Sequence, residues 1–391
     1  MNAWLVSLDQ GGFDQPFPAS TIQLKDSVLT VTFAQLGATY RAKLGADDKR
    51  LIGTWTQTRA TPLDFERATS GTAWRDSSPH NARFITVDRN VKLEVLDWGG
   101  TGLPVVLLSG LGNTAHVFDQ FAAKLSGDYH VYGVTRRGFG FSSTPASGYA
   151  ADRLADDVIA VLDTLGLDRP VLIGHSIAGQ ELSSIGSRHP GRVAGLVYLD
   201  AAFGYAYYDS TLGYLPVELA DVRRKLDRLT EIRASAISSD SIQNVIAMVR
   251  SLVTTELPVL ERNLREYQRT LESTQAPRTV PPAPAYLPAV NAIWAGVQKY
   301  TSISATALAI YALPRRLPAG ELTDSARAAA AAADSVRTLQ ANAFEKGVPS
   351  ARVVRVAGAT HFLFLSNEAD VLREIHTFIR SLRRDSRQDH R

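Results

Sequence analysis

The stretch that decides the fold of this chain is residues 171–179, which read Val171-Leu172-Ile173-Gly174-His175-Ser176-Ile177-Ala178-Gly179. A short apolar run ends at Gly174, a single serine follows, and a helical pattern begins at Glu181. Strand and helix backbones nearly touch at a turn this tight, so a bulky residue would clash there. The pattern predicts a strand, a sharp turn and a helix, with Ser176 held in a strained and exposed conformation.

The Gly-x-Ser-x-Gly pattern is only moderately specific, and Ala178 stands at its last position. The surrounding sequence therefore has to show whether the predicted strand, turn and helix belong to a larger α/β fold. From Arg83 onward, short apolar runs alternate with amphipathic segments of helix length. The clearest is Ala151–Leu165, in which apolar side chains recur at steps of three and four. This alternation is typical of a mostly parallel, doubly wound sheet with helices on both faces, and it predicts the fold class α/β.

Two further stretches strengthen this interpretation. They are Leu108-Ser109-Gly110-Leu111-Gly112-Asn113, after the third strand of the domain, and Arg136-Arg137-Gly138-Phe139-Gly140-Phe141-Ser142, after the fourth. Together with the turn at Ser176, they make residues 83–380 resemble the α/β-hydrolase family, in its esterase, epoxide-hydrolase and haloperoxidase-like group. The resemblance covers about three-quarters of the chain. It implies a bacterial serine hydrolase and is specific for the fold, much less so for the substrate.

A serine hydroxyl is a poor nucleophile at neutral pH and needs a base. In the α/β-hydrolase fold the chain order is serine, acid, histidine, and the histidine follows the last strand. A strand pattern at 352–356 precedes Ala357-Gly358-Ala359-Thr360-His361, and no other histidine has such a place. The resemblance therefore implies that His361 is the base. We expect His175 to pack beneath the serine, and the remaining histidines to be structural.

The acid that orients this histidine is harder to place. Many family members carry it directly after the seventh strand, predicted here at 305–312, but residues 313–318 contain no carboxylate. Asp200 closes the predicted sixth strand, where some α/β-hydrolases carry the acid. We expect Asp200 to be the acid, with Asp324 or Glu321 as alternatives. Asp200 can also be interpreted as a structural carboxylate. Asp324 can be interpreted as the N-cap of an alanine-rich helix.

Backbone N–H groups must stabilise the negative charge that develops during acyl transfer. The resemblance implies that Ile177, directly after the serine, and Leu111, in the loop after the third strand, supply them. A phosphate-binding turn at 110–112 is the alternative, but the third glycine of such a motif is missing. The predicted chemistry requires no cofactor and no metal.

About a hundred residues separate the sixth and seventh strands, which is far more than a loop needs. We expect a mainly helical cap at about 203–300, with helices at 215–232 and 242–271 and an extended crossing at 276–288, where five prolines stand. Aromatic residues follow Asp200 closely, and Phe203 and Tyr207 are the predicted substrate-binding residues. Each could equally be ordinary core between cap and sheet.

The leading hypothesis is a serine hydrolase that cleaves a small or medium carboxylic ester through an acyl-enzyme. The alternatives on the same fold are cleavage of an amide, a lactone or a C–C bond. Epoxide and haloalkane chemistry is disfavoured because those relatives need a carboxylate where Ser176 stands. A non-catalytic ligand-binding protein on a hydrolase scaffold is the alternative from another class.

Residues 1–75 predict part of a small antiparallel β-domain, since strands alternate with turns from about residue 20 to 66. A polar linker is predicted at 76–82, the catalytic domain at 83–380, and a disordered basic tail at 381–391. The first residues resemble an internal turn of the β-domain and lack the features of a signal peptide. Localisation therefore stays open between the cytoplasm and export from a longer precursor.

Composition narrows the function classes. The chain has 391 residues and no cysteine, which excludes disulfides and a thiolate nucleophile. The net charge of +3 equals that of residues 380–391 alone, which hold five arginines and two aspartates, so the remainder is neutral. Without a basic face we expect no nucleic-acid partner, and no apolar run is long enough for a membrane span. The expected partner is a small-molecule substrate, and the sequence leaves the oligomeric state open.

Overall fold

A computed structural model of the chain describes residues 3–5, 17–46, 49–57, 60–69, 80–230, 239–274, 288–316 and 323–388. The strands of its N-terminal region are β1 (Trp4–Leu5), β2 (Phe17–Pro18), β3 (Thr21–Lys25), β4 (Val28–Phe33), β5 (Ala38–Leu44), β6 (Arg50–Thr56), β7 (Ala60–Pro62) and β8 (Phe65–Glu66). All of their pairings are antiparallel, with β3 to β7 in chain order. Alternate side chains such as Val31, Phe33 and Tyr40 form a small core, so the predicted antiparallel region is confirmed.

The remaining strands form one sheet. They are β9 (Asn81–Asp88), β10 (Val91–Gly99), β11 (Pro104–Leu108), β12 (His130–Val134), β13 (Val171–His175), β14 (Gly195–Leu199), β15 (Ala307–Ala312) and β16 (Ala351–Val356). Their order is β16-β15-β14-β13-β11-β12-β10-β9, in which β9 and β10 are antiparallel to their neighbours and the others are parallel. The central strands read as continuous apolar runs because both faces of the sheet are covered.

The described residues contain ten α-helices, several of which cover the two faces of this sheet. They are α1 (Asp119–Leu125), α2 (Ala151–Leu165), α3 (Gly179–Arg188), α4 (Leu215–Thr230), α5 (Ser239–Ser251), α6 (Leu257–Thr274), α7 (Pro288–Ala295), α8 (Asp324–Gly347), α9 (Leu363–Ser366) and α10 (Glu368–Gln388). One core joins the sheet to α2, α3 and α8, and the other joins it to α1 and α10. The predicted α/β-hydrolase fold, a doubly wound and mostly parallel sheet, is confirmed.

The long insertion between β14 and β15 is helical in its described parts. Helix α4 matches the helix predicted at 215–232 up to Thr230, and a π-helical turn at Leu252–Glu256 joins α5 to α6 over the span predicted at 242–271. Val222, Leu252 and Leu260 form a small core between these helices. The crossing predicted at 276–288 lies almost wholly outside the described residues.

Two predicted boundaries differ from the structure. Helix α10 extends to Gln388, so residues 381–388 are helical where a disordered tail was predicted. The amphipathic pattern of α10 continues into this segment, and arginine near a helix C-terminus is favourable. Residues 81 and 82, assigned to the linker, belong to β9, because Asn81 already pairs with Asp97 of β10. Within the described residues no helix combines the length and the apolar content needed to cross a membrane.

Candidate active site

The turn between β13 and α3 holds Ser176 at the carboxyl edge of the sheet. Ser176 has a φ of 53°, in the left-handed region that costs energy for a non-glycine residue. Gly179 begins α3, and a Cβ added there would lie 2.0 Å from the carbonyl oxygen of Ala201. The close approach of helix and strand explains why the chain needs a glycine at this point.

Ser176 belongs to a hydrogen-bonded chain of three side chains, called the Ser176 chain, whose other two residues are remote in sequence. His361 Nε2 lies 2.9 Å from Ser176 Oγ, and His361 Nδ1 lies 2.7 Å from Asp200 Oδ2. A carboxylate can only accept, so the Nδ1–H donates to Asp200 and Nε2 is left to accept from the serine hydroxyl. The structure therefore brings together the three residues predicted as nucleophile, base and acid, in a geometry that allows proton transfer.

Asp200 follows β14 directly and is fully buried. Its φ of 46° is a second left-handed conformation at the same edge of the sheet. Burial by itself would raise the pKa of this carboxyl, but the hydrogen bond from His361, the Arg315 guanidinium and the Ala312 amide together hold its pKa below the usual value. Asp200 is thus an ionised carboxylate under all but strongly acidic conditions.

Asp324, the alternative acid among the described residues, does not join these hydrogen bonds. Asp324 is the first residue of α8 and its side chain is fully exposed, while Thr323 is the N-cap and accepts from the Ala326 amide. The N-cap predicted at Asp324 is therefore one residue too late, because the threonine hydroxyl takes that role. Glu321 lies outside the described residues.

Arg315 is a neighbour of the acid that sequence reasoning missed. Its guanidinium donates to Asp200 Oδ2, and the same nitrogen lies 3.2 Å from His361 Nδ1. Arg315 follows β15, the place where many family members carry the acid. The sequence shows that residues 313–318 contain no carboxylate. It does not show that an arginine there pairs with Asp200, because that pairing depends on the adjacency of β14 and β15.

The loop that carries Leu111 lies against the serine. A Cβ added to Gly110 would lie 3.2 Å from Ser176 Cβ and 2.7 Å from His175 Nδ1, so the backbone of the loop reaches the turn closely. Arg136 supports the loop, because its guanidinium donates to the Ser109 carbonyl at 3.0 Å and pairs with buried Glu181 of α3. The structure thus brings the loop of Leu111 close to Ser176 and the adjacent Ile177.

Tyr205 is the aromatic residue that reaches the serine. Its side chain lies beside that of Ser176, and its ring packs edge-on against Tyr214 and Trp294 of the insertion. Burial, together with nearby Tyr214 and Asp200, raises the pKa of Tyr205 well above the usual value, so the hydroxyl remains a neutral donor. The sequence shows a tyrosine close behind Asp200 but not the direction of its side chain.

The two predicted substrate-binding residues have different surroundings. Phe203 is nearly buried and packs edge-on against Tyr311 and Tyr205, so it forms part of the wall behind Tyr205. Tyr207 instead packs against Phe344 of α8, and its hydroxyl lies over Gly347 at the end of that helix. Tyr207 is therefore placed as packing between the insertion and α8, because the backbone bends and turns over residues 203–207 and so changes the direction of successive side chains.

His175 lies beneath the serine, as predicted from its place in the turn. The ring is fully buried, and its Nε2 lies 3.0 Å from the His361 carbonyl oxygen. Burial, aided by the neighbouring His361 ring, lowers the pKa of His175 to about 3. A neutral His175 thus donates to the backbone of the loop that carries the base.

Comparison with known proteins identifies the family. The sequences described as "Alpha/beta hydrolase family" match residues 105–374, which is more than half of the chain. This chain belongs to the alpha/beta hydrolase family. The match spans the region from β11 to α10 and includes Ser176, Asp200 and His361.

Similar proteins have several activities. This α/β hydrolase is 38% identical over 120 residues to the non-heme chloroperoxidase of Streptomyces lividans and 35% identical over 118 residues to epoxide hydrolase A of Mycobacterium tuberculosis. These matches span 30% and 29% of this chain, but only 44% and 37% of the relatives. A solved thermophilic esterase from Thermogutta terrifontis aligns with 77% of this chain and 99% of its own, at 19% identity and a TM-score of 0.48.

Proposed function

We propose that this α/β hydrolase cleaves a small or medium carboxylic ester through an acyl-enzyme on Ser176. The observation that carries the proposal is the hydrogen-bonded chain from Ser176 Oγ through His361 to buried, ionised Asp200. Such a chain activates a hydroxyl for attack on a carbonyl carbon. An ester is the favoured substrate because an alkoxide leaving group needs less assistance than an amine.

In the first half-reaction Ser176 Oγ attacks the ester carbonyl while His361 Nε2 takes the hydroxyl proton. The resulting oxyanion is stabilised by the amides of Ile177 and Leu111, and Asp200 stabilises the imidazolium. His361 then returns the proton to the alcohol oxygen, the C–O bond breaks, and the acyl group remains on Ser176. In the second half-reaction His361 takes a proton from water, and the hydroxide attacks the acyl carbon. The bond between the acyl carbon and Ser176 Oγ then breaks, His361 returns the proton to Ser176, and the carboxylic acid leaves.

The insertion supports a substrate of limited size. Helix α7 contributes Trp294, whose ring packs edge-on against Tyr205 beside the serine, and we propose that the insertion forms a cap over the site. We propose that Phe203 and Tyr205 form an apolar wall for the acyl or alcohol group, and that the partner is a small molecule rather than a nucleic acid.

The test is hydrolysis of p-nitrophenyl esters from acetate to palmitate by the wild-type protein and by Ser176→Ala, Asp200→Asn and Asp324→Asn. We expect turnover with the shorter esters, and a loss of roughly a hundredfold or more for the first two variants. Asp324→Asn is the matched control, an exposed aspartate that should leave kcat unchanged.

Two outcomes would contradict the proposal. Full activity of Asp200→Asn would remove Asp200 from the mechanism. A wild-type protein that hydrolyses no ester and reacts with no serine-directed phosphonate would point to ligand binding without catalysis.

A further inference from the structure

A second cluster of chemically active side chains lies where β10 and α1 meet the start of the main sheet. It consists of His80, Glu94, Trp98, His116 and Asp119, and none of these belongs to the Ser176 chain. One ligand atom from each of His80, His116 and Asp119 lies within 4.8 Å of the other two. We call these three residues and their supports the His80 cluster.

Glu94 orients the first histidine of the His80 cluster. His116 Nε2 lies 3.2 Å from Glu94 Oε1, and the other oxygen of Glu94 accepts from the Thr135 hydroxyl at 2.7 Å. Because a carboxylate only accepts, the Nε2 of His116 carries the proton, and the lone pair of this imidazole is on Nδ1, at the opposite side of the ring. Nδ1 lies 3.9 Å from Asp119 Oδ2. A histidine held by a carboxylate in this way is the usual arrangement of a metal-binding histidine.

Asp119 is fixed in a similar manner. Its Oδ1 accepts from Trp98 Nε1 at 2.9 Å and lies 2.9 Å from His80 Nδ1. These contacts leave Oδ2 directed towards His116. The indole therefore sets the rotamer of the carboxylate before any ion binds, so one oxygen is anchored while the other is available as a ligand.

The charge of the cluster favours a cation. Glu94 is 2% exposed, and Asp119 is mostly buried beside two histidines whose side chains are 4% exposed. In the described part of the chain neither carboxylate pairs with a lysine or an arginine. Two carboxylates removed from water are costly unless positive charge lies between or beside them.

We propose that His80, His116 and Asp119 bind a divalent transition-metal ion, with Zn²⁺ as the best fit. Two imidazole nitrogens and one carboxylate oxygen are a common zinc ligand set, and ligand atoms around a tetrahedral zinc lie about 3.4 Å apart. Asp119 Oδ2 lies 3.9 Å from His116 Nδ1, and one ligand atom from each of the three residues lies within 4.8 Å of the other two, so only small side-chain movements are needed to reach this spacing. A water molecule completes the coordination, and the proton on His80 Nδ1 leaves when that nitrogen binds.

The proposed ion has a structural role. It joins the segment that enters β9 to the first turn of α1, and Thr135 extends the same network to the Ala115 amide, close behind the loop of Leu111. Its binding is independent of the proposed ester hydrolysis, so it is tested on stability and spectra instead of on turnover.

The experiment uses the full chain without an affinity tag, treated with chelator and then dialysed. Titration with Co²⁺ is followed by visible absorption, and Zn²⁺ binding by calorimetry and by the melting temperature. We expect one equivalent of metal, the intense visible bands of tetrahedral Co²⁺, and a rise in Tm of about 3–6 °C at saturating Zn²⁺.

The variants His80→Gln and Asp119→Asn should weaken binding by tenfold or more. Asp119→Asn has the same shape and still accepts from Trp98, which makes misfolding an improbable cause of the loss. His189→Gln, a histidine outside the cluster that is partly exposed, is the matched control and should bind metal as the wild-type protein does.

The proposal is overturned if the wild-type protein takes up no stoichiometric metal. It is equally overturned if His80→Gln and Asp119→Asn, melting as cooperatively as the metal-free wild type, bind metal with unchanged affinity.

Discussion

Replacing Arg315 by methionine removes a positive charge from the immediate surroundings of the His361 imidazole while keeping an unbranched side chain. The Arg315 guanidinium contacts Asp200 and lies 3.2 Å from His361 Nδ1. A cation at this place offsets part of the negative charge of Asp200 and helps to hold the pKa of that carboxyl below the usual value. Without it, Asp200 loses a charge-assisted donor, so the carboxylate that orients the imidazole is held less firmly.

The size of this effect follows from the separation and the solvent exposure of the two groups. Two unit charges 4 Å apart interact by about 1 kcal/mol in water and by about 4 kcal/mol at an effective dielectric constant of 20. The Arg315 side chain is 25% exposed while that of Asp200 is fully buried, so solvent screens the pair only in part. We take about 1–2 kcal/mol, which corresponds to a fall in kcat/KM of roughly tenfold.

The assay is kcat/KM for an activated ester at neutral pH. Arg315→Met should lose roughly tenfold, less than the hundredfold expected for Asp200→Asn, because the Ala312 amide still holds Asp200. Arg315→Lys keeps the charge and should retain most of the wild-type rate. Arg316→Met is the matched control, since that exposed arginine donates to the Gly358 carbonyl instead. An unchanged kcat/KM in Arg315→Met, or an equal loss in Arg316→Met, would refute the reasoning.

Three other variants test the surroundings of the site. Tyr205→Phe removes the hydroxyl beside Ser176, and we expect kcat/KM to fall about tenfold, measured on the best ester; an unchanged value would show that the hydroxyl plays no part. His175 has a folded-state pKa of about 3, so between pH 6.5 and 4.5 the unfolded chain binds a proton that the folded protein does not. The free energy of unfolding should therefore drop by about 2 kcal/mol over this range from His175 alone, and denaturant titrations of His175→Gln should lack that part of the drop. Gly179→Ala places a Cβ 2.0 Å from a carbonyl oxygen and should lower the free energy of unfolding by about 2 kcal/mol or more, measured by thermal unfolding. Gly191→Ala has open space around the new Cβ and should lower it far less. Equal effects of the two variants would count against the close-packed turn.

Much of the fold could be predicted because its signals are local. The helix at Ala151–Leu165 was predicted with its observed bounds, since three- and four-residue spacing defines an amphipathic helix wherever it lies. The end of α10 was missed because net charge and proximity to the chain end predict disorder, while the continuing helical pattern was given too little weight.

Side-chain direction was the main source of error in the site. Phe203, Tyr205 and Tyr207 stand close together in the sequence, but Tyr205 approaches Ser176 while Tyr207 packs on α8. Which of these aromatic residues faces the serine depends on the path of the backbone after Asp200. No periodicity applies in such an irregular segment, so the sequence offered no way to choose between them.

The sequence by itself determined the α/β architecture, the turn at Ser176 and, through chain order, the candidate base His361. These depend on residues that are neighbours along the chain, or on the order in which the strands follow one another along the chain. Only the tertiary structure decided which carboxylate meets His361, because Asp200 and His361 are 161 positions apart and meet where β14, β15 and β16 end side by side. The same adjacency places Arg315 on Asp200. Parallel strands bring their carboxyl ends to one edge of the sheet, and which side chains meet there is set by strand order and backbone direction, neither of which a local pattern encodes.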